Sequence, residues 1–170
     1  MRRKAIALAV SCILGAGIMF ADSQASSGPV GFVNCDGGIT GGMDGEIIRV
    51  KDRESFEKAV GDDVPRVVVV EGRLSGTGVS RKKDTIEVGS NKTIVGAGAD
   101  ATLYGIGLNI NGKSNIIIRN ITIFDGSPDA IACRDSHHVW VDHCDLGSEH
   151  DNERCLLYTS DAADDLTRVD

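Results

Sequence analysis

Asn115-Ile116-Ile117-Ile118-Arg119-Asn120-Ile121-Thr122-Ile123 and His138-Val139-Trp140-Val141-Asp142-His143-Cys144-Asp145-Leu146 carry one pattern, 23 residues apart. Asn91-Lys92-Thr93-Ile94-Val95-Gly96 falls above the first at an offset of 24. Gly107-Leu108-Asn109-Ile110 and Asp129-Ala130-Ile131-Ala132 align at an offset of 22. Short strands recurring every 20 to 25 residues predict a solenoid. No helix fits inside the period, which disfavours a leucine-rich horseshoe. The expected fold is all-β, a parallel β-helix. Each coil supplies about three short strands, and stacked coils bury a continuous core.

The second repeat raises a competing reading. Ser136-His137-His138-Val139-Trp140-Val141-Asp142-His143-Cys144-Asp145-Leu146 holds three histidines, two aspartates and a cysteine. By composition alone it is a metal site. In strand geometry, however, Val139 and Val141 share one face and Trp140 and Asp142 the other. The valines then stack below Ile116 and Ile118 as core. His143 takes the slot of Asn120 at a bend, where asparagine tolerates a left-handed backbone more readily than histidine. The cluster reads mainly as a coil edge, with His137 and His138 on the surface. No Cys/His spacing matches zinc, and a Ser-His-Asp triad has no support beyond composition.

Lys51–Val60 reads as one short helix ahead of the coils. Asp52 is the candidate N-cap, and Phe56, Ala59 and Val60 form the apolar face. Val67-Val68-Val69-Val70 is a β-branched run typical of a strand covered on both sides. Thr85-Ile86-Glu87-Val88 reads as a further strand.

The two ends differ from the middle. Residues 1–25 read as a secretory signal: a basic Met1-Arg2-Arg3-Lys4, an apolar run, and small residues at Ser23 and Ala25. The run from Ala5 to Phe20 is 16 residues, short of the ~20 that span a bilayer. Residues 155–170, CLLYTSDAADDLTRVD, show no hydrophobic period. They resemble translated sequencing adapter from a transposon library. The expected organisation is therefore a signal over 1–25, β-helix coils over 26–154 and an adapter-derived tail over 155–170.

The whole chain carries −7. Residues 1–25 carry net +2 and 155–170 net −3, so 26–154 carries −6. An acidic chain without a basic stripe excludes a nucleic-acid partner. No segment is apolar enough for a membrane span. Cys35, Cys133 and Cys144 remain in 26–154, and export permits a disulfide such as Cys133–Cys144 without specifying one.

Five motifs in order carry a family resemblance: Gly37-Gly38-Ile39-Thr40-Gly41-Gly42-Met43-Asp44-Gly45, Ser90-Asn91-Lys92-Thr93-Ile94-Val95-Gly96-Ala97-Gly98, Asn115–Asn120, Pro128-Asp129-Ala130-Ile131 and Val139–Cys144. Over about residues 30 to 146 the chain resembles the N-terminal half of the pectate lyases of polysaccharide lyase family 1. Gly147 departs from the pattern, since many relatives have serine there. The resemblance implies a right-handed parallel β-helix, here its N-terminal coils only. It implies a secreted, monomeric enzyme that cleaves polygalacturonate, de-esterified pectin, by β-elimination with Ca2+. Asp129 matches a family calcium ligand, and calcium favours such hard oxygen donors. Trp140, Asp142 and His143 match a signature that looks mainly structural. The family's other calcium aspartates and its catalytic arginine belong to segments beyond residue 154, so the chain by itself is expected to be inactive.

Two alternatives stand beside this. A calcium-free pectin lyase would act on methyl-esterified pectin, and Asp129 weighs against it. A non-catalytic carbohydrate-binding β-helix would use the same groove, since fold alone does not prove catalysis.

Overall fold

The computed structural model describes residues 33, 35, 37–78 and 84–148, together with the backbone of 157–160. The proposed signal, residues 1–25, lies outside the described residues. The coils begin at β1 (Glu46–Val50), followed by α1 (Arg53–Val60), β2 (Arg66–Val70) and β3 (Arg73–Ser75). Then come β4 (Thr85–Glu87), β5 (Lys92–Gly96), β6 (Thr102–Tyr104), β7 (Gly107–Asn111), β8 (Ser114–Arg119) and β9 (Thr122–Phe124). The last are β10 (Ile131–Arg134), β11 (His137–Asp142), β12 (Asp145–Gly147) and β13 (Leu157–Ser160).

Three parallel sheets result, in the orders β1-β2-β5-β8-β11, β3-β6-β9-β12 and β4-β7-β10-β13. We call them sheets A, B and C. Successive coils place a strand in each, which is the expected parallel β-helix. The register turns sequence repeats into core columns. Ile48, Val68, Ile94, Ile118 and Val141 stack in sheet A. Leu74, Leu103, Ile123 and Leu146 stack in sheet B, and Ile86, Leu108 and Ile131 in sheet C. Fully burying one such side chain stabilises by roughly 1.5–3 kcal/mol.

The offsets of 24 and 23 read from the sequence are the observed ones in sheet A. The offset of 22 in sheet C is not. Ile131 pairs with Leu108, an offset of 23. Because side chains alternate, a one-residue slip would have turned Ile131 away from the core. Asp129 consequently lies in the turn ahead of β10 rather than on the strand.

The helix forms where the sequence places it. The Asp52 carboxylate accepts a hydrogen bond from the Ser55 amide at 2.8 Å. Phe56, Ala59 and Val60 are buried and close the first coil. The buried Lys92 Nζ donates to the carbonyls of Asp62 (2.5 Å), Val64 (2.6 Å) and Ser90 (3.1 Å). Burial depresses its pKa, and those carbonyls answer its charge. Lys92 thereby pins the 61–65 loop to sheet A.

Left-handed residues stack at the corner that leads into sheet A. Asn91, Asn115 and His138 have φ of 58°, 61° and 53°. His138 continues this column, half-buried, and its Nε2 lies 3.0 Å from the Cys35 carbonyl oxygen. The Asn115 carboxamide holds an N-terminal strap across the outer face of sheet A. Its oxygen accepts from the Thr40 and Gly41 amides at 2.9 and 2.7 Å. Its nitrogen donates to the Gly41 carbonyl and to Asn91 at 3.1 and 2.9 Å. A side chain on Gly42 would meet the Arg66 carbonyl oxygen at 1.8 Å, so only glycine lets the strap lie this close.

Cys133 and Cys144 are separate thiols, not a disulfide; both pack against the core. Within the expected tail, the backbone of Leu157–Ser160 pairs in parallel with β10. An open strand edge offers unpaired backbone groups whatever the added side chains are.

Candidate active-site corner

The third corner, between sheets B and C, is built differently. Among the described residues, six residues, 125–130, join β9 to β10 there, while Gly105 and Ile106 alone join β6 to β7; in the coil before, Gly76–Gly78 and Asp84 flank the corner. Long turns on a rigid scaffold are where binding groups collect. The described part of the first turn is ordered by Asp84, which is buried. The Asp84 carboxylate accepts from the Thr77 amide (2.5 Å), the Thr77 hydroxyl (2.8 Å) and the Gly78 amide (3.0 Å). Burial pushes its pKa up, but these hydrogen bonds outweigh burial and hold it below the usual carboxylate range.

Asp129 belongs to the second turn and is half-buried. Beside it Gly107, Ala130 and Ala132 are buried, and polar groups stand on the same sheet. The Asn109 amide nitrogen donates to both Glu87 carboxylate oxygens at 2.9 Å, and Arg134 is exposed at the far end of β10.

Calcium takes about six to eight oxygen ligands. Asp129 suits one of those positions by its chemistry and exposure. Among the described residues, no three His, Cys, Asp or Glu side chains gather where they could hold a metal ion. No complete calcium site therefore stands among the described residues.

Trp140, Asp142 and His143 stand elsewhere, on sheet A and its corner with sheet B. The Asp142 carboxylate lies 2.7 Å from His143 Nδ1 and 2.9 Å from Arg119 Nε. These two partners, His143 first, hold its pKa below the usual range. The Arg119 guanidinium carbon lies 5.3 Å from the Trp140 ring centre. The structure does not bring these three residues together with Asp129. Gly147, the departure noted above, lies under Phe124, whose Cδ2 a side chain there would meet at 2.8 Å.

Sequence reading did not single out Thr85, Gly107, Ser127 or Asn115. Only Asn115, whose asparagine recurs at Asn91, carried a detectable signal.

A parallel β-helix with a long turn on one corner defines the class. The chain belongs to the pectate lyase family, whose model, described as pectate lyase, matches residues 7–166. The chain is 36% identical to "Probable pectate lyase A" of Aspergillus niger over 132 residues, 76% of this chain and 39% of that protein. It is 36% identical to the protein of that name from Aspergillus flavus, over 81% of this chain and 43% of that one. The chain thus spans about two-fifths of the length of these curated relatives. Among solved structures it resembles a Bacillus pectate lyase in complex with trigalacturonate: TM-score 0.61, 29% identity, 68% of this chain and 41% of that one. A Bacillus subtilis pectate lyase variant shares the fold alone, with TM-score 0.58 and 16% identity over 74% of this chain and 52% of that one. Among the described residues, no helix is long and apolar enough to cross a membrane.

Proposed function

We propose that this chain is the N-terminal part of a secreted pectate lyase that cleaves polygalacturonate by calcium-dependent β-elimination. Family membership carries this reading, with Asp129 at the long-turn corner as its local support. Calcium bound there would draw charge from the substrate carboxylate and make the neighbouring C–H more acidic. Asp129 supplies one hard oxygen to hold the ion. The proton acceptor is proposed to be an arginine outside residues 26–154, and Trp140, Asp142 and His143 to serve the scaffold. The half-exposed carboxylate favours this reading over a calcium-free pectin lyase.

The test is formation of unsaturated uronides from polygalacturonate, read by ultraviolet absorbance, with the longest product of the gene. Activity that needs calcium and is lost in Asp129→Asn supports the proposal. Equal activity on methyl-esterified pectin with a chelator present overturns it. Two further readings have direct checks. Mass spectrometry of the exported protein should find Ser26 as the first residue, and an intact Met1 refutes the signal. Resequencing the gene should show a different frame after codon 154, and an unchanged frame refutes the adapter origin of 155–170.

A further inference from the structure

We propose that Thr85 is a positioning residue for Asp129, acting through the carbonyl of Ser127 across the gap left by Gly107; this rests on the calcium role proposed above. Thr85 opens β4, and Ser127 lies in the turn that leads into β10. Strand β7 runs between those two strands in sheet C. The Thr85 hydroxyl nonetheless donates to the Ser127 carbonyl at 2.7 Å. This bond ties residues 42 apart in sequence, past an intervening coil.

Gly107, the first residue of β7, makes that reach possible. A side chain there would meet the Asp129 carbonyl oxygen at 2.4 Å, the Ser127 carbonyl oxygen at 2.7 Å and the Ser127 amide at 3.1 Å. All three are backbone atoms, so no rotamer change could relieve the contact. The turn therefore lies against β7 at the one place without a side chain, and Thr85 fastens it from the far side. Asp129 is two residues beyond the fastened carbonyl. Its carboxylate direction follows from where that turn sits. A metal ligand displaced by a fraction of an ångström binds more weakly, so the outer hydrogen bond governs affinity without touching the ion.

The experiment compares Thr85→Val, which keeps the shape, with Thr85→Ser, which keeps the hydroxyl. Gly107→Ala serves as a second perturbation of the same contact. Two readouts are taken on the longest product of the gene: hydrogen exchange of the 125–130 amides, and calcium affinity by calorimetry. Thr85→Val should speed exchange in that turn and weaken calcium binding by roughly three- to tenfold, the loss of one hydrogen bond. Thr85→Ser should restore both, and Gly107→Ala should match or exceed Thr85→Val. Unchanged exchange in Thr85→Val overturns the inference. So does faster exchange with unchanged calcium affinity, provided Asp129→Asn abolishes binding, because Thr85 is then merely structural. If Asp129→Asn binds calcium like the parent chain, the calcium reading itself fails, whatever Thr85 does to the turn.

Discussion

His143 stands directly below Asn120 on the next coil, with φ of 50° against 51°. Both residues turn the chain from sheet A to sheet B, and both do so in a left-handed conformation. Asparagine adopts it at low cost, whereas a β-branched residue does not. We predict that His143→Asn folds with stability equal to or above the parent. His143→Val should lose about 1–2 kcal/mol. Denaturant unfolding of the two variants checks this, and equal midpoints would show that the corner is not strained.

Lys92 gives a second prediction. Its buried ammonium is the partner of three carbonyls, two on the 61–65 loop and one at Ser90. Lys92→Met keeps the chain length and removes every donor. The carbonyls then lose their partner, at a cost of roughly 3 kcal/mol. Thermal unfolding should shift down sharply, while Lys58→Met, at an exposed helix position, should leave it nearly unchanged. Similar shifts in the two would contradict the pinning role.

Cys133 sets an alkaline limit. Burial raises its thiol pKa from 9.0 to about 11. The folded state therefore holds the proton longer than the unfolded state. As pH rises past 9 the unfolded chain releases that proton first, so stability falls between about pH 9 and pH 11. Cys133→Ala should flatten the decline in that window. The same burial predicts that alkylation at neutral pH labels the exposed Cys35 well before Cys133, as peptide mapping would show.

Asn115→Ala tests the strap. The substitution removes the acceptor of the Thr40 and Gly41 amides and the donor to the Gly41 carbonyl. The coils should remain folded by circular dichroism. Proteolysis near residues 38–42 should speed up by more than tenfold. A strap that stays protected would mean that its other anchors, such as the Gly42 amide on Thr93 at 3.0 Å, suffice.

Much of the fold was legible because the core repeats. Ile116, Ile118, Val139 and Val141 gave the sheet A register directly from spacing. Sheet C was misread by one residue, since Ala130 and Ala132 on either side of Ile131 are apolar too and no alternation marks the inward face. The helix cap at Asp52 was legible from local chemistry alone. The strap, the Lys92 cage and the Thr85–Ser127 bond were not. Each joins segments far apart in sequence through backbone groups, and backbone groups leave no pattern in side-chain type.

The strap also orders events in time. Residues 40 and 41 bond to a residue 75 and 74 positions later, whereas neighbouring coils pair over little more than 20. Coils can therefore zip up one on another as a growing array, while the strap has no seat until Asn115 has reached its place. On the ribosome the earliest part of this segment emerges first and docks last. Docking completes the outer face of sheet A only after the inner columns have formed, so strap protection should be the slowest phase of folding, trailing the signal from the core.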